Sequence, residues 1–331
     1  MFLSEYLMFL LKTITIIMSA IAIIKVYFGA KGKSRRNKEE GYLTIKDLSR
    51  HYHELKIRLL QLSASKDEIK KTISDFKRKL KEKKKQDIRK KIYVIKFDGN
   101  IKPSAVESLR EEITAVLSVA RKKIDKVILI LESPGGTVNG YGLAASELKR
   151  IKSREIELIA IVDKIAASGG YMMACVADKV IAAPFAIIGS IGVVSQTPNF
   201  NQLLKHNGIE YEQVTSGKYK RTITMFGQNT DEGRKKLQLE LEAIHNQFKS
   251  LIKTHRPGID IEKISTGEFW LAEKAKELNL VDDLMTSDEY LMILNESGSD
   301  IYQVEYKKEQ NLVTQLVRAS SNIKGIFHSH Y

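Results

Sequence analysis

Ser168 lies in the string Ala166-Ala167-Ser168-Gly169-Gly170, directly after the apolar run at residues 158–162 (LIAIV). A serine at a sharp strand-to-helix turn has the form of a nucleophile elbow, here with alanine in place of the first glycine. Its hydroxyl would stand at a helix N-terminus, with the next amide free to meet a developing negative charge. A second glycine turn, Glu132-Ser133-Pro134-Gly135-Gly136-Thr137, follows the run VILIL at 127–131. Consecutive glycines allow a tight turn with unobstructed N–H groups, and Pro134 holds Ser133 extended. One amide from this turn and the amide after Ser168 can converge on an oxyanion, as acyl transfer requires. The same serine is equally a helix N-cap, and on these residues alone the cap is the commoner role.

A serine nucleophile needs a base. The seven histidines are His51, His53, His206, His245, His255, His328 and His330, and none falls between Ser168 and residue 205. A distant histidine stays possible on these grounds, but nothing recommends one. The string SGKYKRTITMFG at 216–227 offers Lys218 and Lys220, whereas Arg221 cannot lose its proton. The single cysteine, Cys175, excludes an internal disulfide and any cysteine-rich zinc site, and its apolar surroundings (YMMACVA) predict a buried small hydrophobe. No H-E-x-x-H, C-x-x-C or phosphate-loop pattern occurs, so no metal and no cofactor is expected.

The turns need elements to position them. Residues 92–97, 127–131, 158–162 and 179–182 read as buried strands, with helical stretches at 104–121 and 141–152 between them. That alternation predicts an α/β core with a mostly parallel sheet. A further helix is expected over 231–255, capped by Thr230 or Asp231 and ended before Pro257. Residues 301–306 have the pattern of an edge strand, and a helix fraying into a polar tail is expected after Lys307.

The 331 residues, 43% of them hydrophobic, are enough for one sizeable core with accessory segments. The net charge of +14 is concentrated: residues 31–91 hold 22 Lys and Arg against 9 Asp and Glu, and everything from residue 92 onward is neutral in sum. Residues 6–28 (YLMFLLKTITIIMSAIAIIKVYF) form a mostly apolar stretch of the length that crosses a bilayer, with Lys12 and Lys25 near the interfaces. A cleaved signal peptide fits less well, because the preceding residues carry little positive charge. Residues 45–80 repeat apolar side chains at steps of three and four, which predicts a long amphipathic helix that packs on its own domain or on a second copy. Nucleic acid is not an expected partner, since these lysines alternate with aliphatic residues and glutamates and no nucleic-acid module accompanies them.

The strings LESPGGTV (131–138), KIAASGGYMMACVADKVIAAPFAIIGSIGVV (164–194), SGKYKRTITMFG (216–227) and TGEFWLAEKAKELNLVDDL (266–284) resemble, in this order, the signal peptide peptidase A family and its shorter SohB-type branch. The resemblance implies a ClpP/crotonase-like α/β core at 92–285, after a transmembrane anchor at 1–30 and a basic helical region at 31–91, with a C-terminal strand, helix and tail at 286–331. It implies a membrane serine endopeptidase with Ser168 as nucleophile and Lys220, 52 residues on, as general base, with Lys218 as competitor. Ser190 in GSIGVV would orient the lysine amine. Gly169 and either Gly136 or Gly135, with Gly136 favoured, would supply the oxyanion amides. Peptide substrates and a homo-oligomer are expected. The alternatives are an acyl-CoA enzyme of the crotonase fold and a non-enzymatic membrane scaffold. Placement in a bacterial inner membrane follows, but the orientation signals conflict: the resemblance implies an extracytoplasmic catalytic domain, while the basic residues after the apolar stretch favour the cytoplasm.

Overall fold

The computed structural model describes residues 2–33, 41–83, 89–101 and 104–308. The chain opens with a 32-residue helix, α1 (Phe2–Lys33). The strand β1 (Tyr42–Asp47) follows, and its last residue caps α2 (Leu48–Ser63), the Asp47 carboxylate accepting the Arg50 amide at 2.9 Å. After a break at Ala64 and Ser65 comes α3 (Lys66–Lys83). Then β2 (Lys91–Asp98), α4 (Val106–Val119), β3 (Lys126–Glu132), α5 (Val138–Ser153) and β4 (Glu157–Val162) alternate. Short elements succeed them: β5 (Ile165–Ala167), α6 (Gly169–Ala174), β6 (Lys179–Ala182), β7 (Ile187–Gly189) and α7 (Asn201–His206). The rest comprises α8 (Asp231–His255), α9 (Ile261–Ile264), β8 (Phe269–Leu271), α10 (Ala272–Glu277), β9 (Asp283–Leu284), α11 (Ser287–Glu296) and β10 (Asp300–Lys307). Residues 44–305 form one compact unit, and α1 belongs to another.

Seven strands form a sheet in the order β1-β10-β2-β3-β4-β6-β9, and every neighbouring pair from β10 to β9 is parallel. This is the expected mixed α/β fold with a mostly parallel sheet. Its strands are almost continuously apolar because both faces are covered. Tyr93, Ile95, Phe97, Val127, Leu129 and Leu131 point to the larger core, which they share with α4, α5 and α6. The alternate residues Ile92, Val94, Ile128, Ile159 and Ile161 meet Leu48 of α2 and Leu291 of α11 on the other face. A second sheet, β5-β7-β8, joins the end of β3 through a parallel bridge between Ser133 and Ala166. Cys175 is buried beside α6, and burial pushes its thiol up to about 12, so it remains a neutral hydrophobe.

Several expectations change here. The apolar repeat over 45–80 is not one helix: Ile45 lies in β1, and the chain breaks at Ala64 and Ser65 between α2 and α3. Leu48 and the half-buried Tyr52 pack on the sheet, while Leu59 and Leu62 are 68% and 90% exposed. A three-and-four spacing records which residues share a side, and here the first turns of that side pack on the sheet while Ile69 and Ile73 of α3 are only half-buried. The strand at 301–306 is not an edge, because β10 lies between β1 and β2. Covering β2 in this way protects a parallel strand that would otherwise expose unpaired amides. Among the described residues no helix is long and apolar enough to cross a membrane. The stretch 6–28 does lie within α1, but the side chains at 20–22 and 24–28 are outside the described residues, as is the helix expected after Lys307.

Asp125, buried just before β3, ties the two central strands at their starts. It accepts the Lys91 amide at 2.9 Å, the Arg121 amide at 2.8 Å and the Arg121 guanidinium at 2.8 Å. Burial raises the pKa of its carboxyl, but these hydrogen bonds outweigh burial and hold it below the ordinary value. A carboxyl with a depressed folded pKa adds stability above its unfolded pKa of about 3.9, and that stability is lost as pH falls through the folded value. The urea midpoint of the wild type should therefore drop from pH 7 to pH 3. Asp125→Asn should cost about 1–3 kcal/mol at pH 7 and lessen that drop. Parallel pH profiles for the two proteins would refute the assignment.

Candidate active site

Ser168 occupies the single residue between β5 and α6, and its backbone is strained: φ is 51° and ψ is −116° in a residue that is not glycine. Such conformations cost on the order of 1–3 kcal/mol and persist only where neighbours over-determine them. Three interactions do so. The Ser168 amide donates to the Gly189 carbonyl at 2.7 Å, and its own carbonyl accepts the Met172 amide at 2.9 Å to start α6. On the strand side, the Ser133 and Ala167 amides exchange hydrogen bonds with the Ile165 and Ser133 carbonyls at 2.8 and 3.0 Å. The result is an elbow that leaves Ser168 half-buried while Ala166, Ala167 and Gly169 around it are buried.

The first glycine turn lies against this elbow. A Cβ on Gly135 would sit 2.8 Å from the Ser168 Cβ and 2.7 Å from the Gly169 nitrogen, and Gly135 has φ of 89°. A Cβ on Gly169 would sit 2.4 Å from the Tyr141 ring, and one on Gly170 would sit 2.5 Å from the Ser133 carbonyl. The approach is possible only for glycine.

Hydrogen-bond accounting separates the two candidate amides. The Tyr141 hydroxyl donates to the Asn100 carbonyl at 2.9 Å, so the 2.6 Å bond between Tyr141 and Ser133 must use the serine proton. The Ser133 oxygen then accepts the Gly135 amide at 3.1 Å. Gly135 is thereby spent on the turn, which leaves Gly136 as the candidate donor of this turn beside Gly169. Burial raises the Tyr141 pKa, so its hydroxyl keeps its proton for this chain of bonds.

Ser168, Gly169, Gly136 and Ser190 line one cavity of about 390 Å³, whose walls include Val138, Met172, Val193 and Phe248. Ser190 lies just past β7 with φ of 52°, and its amide donates to the Glu268 carbonyl at 2.6 Å. Lys220 is not among the lining residues. It is exposed, in a loop held to α7 by Asn199, which donates to the Thr224 and Gly227 carbonyls at 2.9 and 3.0 Å, and by Asn201, which donates to Phe226 at 2.7 Å. Lys218 is paired with Glu232 at 2.7 Å and lies over the Tyr219 ring. Hydrogen bonding to Glu232 raises its pKa, the opposite of what a base requires. Sequence reasoning missed His245, which lines the cavity from α8; its spacing to Ile244 and Phe248, both of which also line it, was the available signal. Among the described residues, no group of three His, Cys, Asp or Glu side chains is placed to hold a metal.

Residues 1–148 match the N-terminal model of peptidase family S49, and residues 150–299 match the model of peptidase family S49 itself. A protein named probable protease SohB from Haemophilus influenzae is 41% identical over 99% of this chain and 96% of its own length. The chain belongs to peptidase family S49. It is a SohB-type member: the probable protease SohB of Buchnera aphidicola subsp. Schizaphis graminum is 45% identical over 97% of this chain and 95% of that one. A more distant relative, the putative protease MJ0651 of Methanocaldococcus jannaschii, is 31% identical over 56% of this chain and 60% of its own length. The α/β core is thus that of a protease.

The bond from Gly135 to Ser133 yields a direct check on this S49 peptidase. Ser133→Ala leaves the Gly135 amide without its acceptor and frees the turn to rotate. If the turn that this bond holds carries the oxyanion donor at Gly136, the expected result is a roughly ten- to hundredfold lower kcat with little change in KM, because such a donor acts on the transition state. A loss confined to KM would remove Ser133 from this role.

Proposed function

We propose that the protein is a membrane-anchored serine endopeptidase on a ClpP/crotonase-like core, with Ser168 as nucleophile and Lys220 as general base, the lysine being supplied to each cavity by a second copy of the chain. The strained elbow at Ser168, facing a cavity beside the Gly136 and Gly169 amides, carries the reading. Lysine Nζ takes the Ser168 proton as Oγ attacks the scissile carbonyl, and the two amides hold the oxyanion. Collapse expels the amine, which receives the proton from the lysine, and water then hydrolyses the acyl-enzyme with the lysine again as base. The Ser190 hydroxyl orients the amine by a hydrogen bond.

Supply from a second copy accounts for an exposed Lys220 in a loop rich in uncovered apolar side chains. Val214 is 90% exposed, and Ile209, Tyr211, Met225 and Phe226 are also exposed. Such a concentration marks a protein–protein surface. Packing of that surface would also desolvate the lysine, whose pKa must fall from about 10.4 to about 7–8, roughly 3–5 kcal/mol of differential destabilisation. Extended, largely apolar peptides suit the cavity walls, and the stretch 191–200, without helix or strand of its own, offers backbone for strand addition.

The experiment is complementation. Ser168→Ala and Lys220→Ala should each abolish cleavage of a fluorogenic peptide, and Lys220→Arg should not restore it. Mixed assemblies of the two inactive variants should regain activity, because each supplies what the other lacks. Full activity in Lys220→Ala would remove the lysine, and mixtures as dead as their parents would place both residues in one chain.

For the anchor, α1 at about 1.5 Å per residue is longer than the ~30 Å hydrocarbon core, and its large apolar side chains from Tyr6 to Met18 are exposed around the helix. The catalytic domain is proposed to lie outside the cytoplasm of a bacterial cell. Proteinase added to intact spheroplasts should digest it, and protection until lysis would reverse the orientation.

A further inference from the structure

One side of α2 starts on the sheet at Leu48 and then runs out into solvent. Leu55, Leu59 and Leu62, at steps of four and three, continue that side and are all exposed. The apolar residues Ile57 and Leu60, on the opposite side of the helix, are half-buried, so the uncovered stripe is the one that begins at Leu48. At about 100° per residue, Lys56 falls on one flank of the stripe and Arg58 on the other. Both are exposed, and among the described residues neither has an ion-pair partner, whereas Arg50 is paired with Glu54 at 2.9 Å. The excess of cations continues through α3: residues 48–83 hold 11 Lys and Arg against 5 Asp and Glu. An apolar stripe edged by free cations has the make-up of a helix that lies along a membrane surface, with apolar groups at the acyl boundary and cations reaching up to headgroups.

Resting on the reading of α1 as the anchor, we propose that the exposed side of α2 docks on an anionic bilayer surface: Leu55, Leu59 and Leu62 enter the headgroup boundary while Lys56 and Arg58 contact lipid phosphates on either side. A second copy of the chain is a poorer occupant. Two copies related by a two-fold axis on this stripe would set Lys56 and Arg58 against their own counterparts, and residues 92–331, neutral in sum, hold no excess of acid to answer them. Three leucines and two cations would hold a free protein only weakly. Fourteen residues separate α1 from α2, however, so an inserted α1 makes the contact intramolecular, at an effective concentration on the order of millimolar.

The test uses the full-length protein in nanodiscs of phosphatidylcholine alone or of equal parts phosphatidylcholine and phosphatidylglycerol. An environment-sensitive fluorophore is placed by Leu62→Cys on the stripe, by Gln61→Cys on the opposite side, or by Ile17→Cys within α1; the buried Cys175 stays unlabelled. In the anionic discs the probe at 62 should shift to the blue and be quenched by a quencher carried on the lipid acyl chains, and the probe at 61 should do neither. Adding Lys56→Gln and Arg58→Gln should lower the ratio of docked to free helix about fivefold per charge removed. A probe at 62 that stays in water in the anionic discs would overturn the proposal, and so would equal quenching in both kinds of disc. A probe shielded yet untouched by the lipid quencher would also overturn it, giving the face to protein instead. No quenching at 17 in either disc would overturn the anchor reading itself.

Discussion

The backbone of Ser168 is the constraint on which the rest of the site depends. A non-glycine residue at φ of 51° and ψ of −116° would relax if its flanks were free. They are held by different parts of the fold: β5 is bridged to the end of β3 on one side, and on the other the Ser168 amide is bonded to the end of β7. Any element that shifted would release the strain. The small second sheet is therefore a clamp on one residue, and this explains why three strands of only three residues each are worth forming.

The same clamp orders the glycine turn. Ser133 serves twice, through backbone bonds that define β5 and through a hydroxyl that holds the Gly135 amide. Tyr141 links that hydroxyl to the Asn100 carbonyl and also fills the space that a Cβ on Gly169 would need. Ser168 and the glycine turn beside it are thus positioned by one buried network. Low dielectric makes a satisfied network of this kind stiff, and stiffness in the donors is what lowers the cost of charge development.

Most of the core was legible in the sequence, because buried parallel strands read as short apolar runs and glycine turns announce themselves. The strands at 92–97, 127–131, 158–162 and 179–182 and the helix at 231–255 all appear, and Ser168, Ser190, Gly136 and Gly169 meet at one cavity. The breaks came where tertiary context decides. Ile45 fits a heptad and a strand equally well, and only sheet pairing chooses. Residues 301–306 read as an edge because their alternation does not reveal that β1 lies beyond them. His245 was set aside because its distance along the chain from Ser168 is large, yet α8 returns to the elbow. Lys220 carries the same lesson in reverse: a motif identifies a residue type but not its place, and Lys220 is not among the residues lining the cavity beside Ser168.

Charge distribution around the cavity bears on the lysine base proposed for it. Among the described residues no carboxylate lines it, so an ammonium entering would lose hydration without gaining a counter-ion. The amides of Gly136 and Gly169, in the oxyanion role proposed for them, would present partial positive charge to the same space and so favour the neutral amine further. Lys218 shows the contrary case within the same loop, since its pairing with Glu232 keeps it protonated. A cavity that stabilises an oxyanion is for the same reason hostile to a cation at rest, and it becomes hospitable to one only once the serine proton has been transferred and the negative charge has formed.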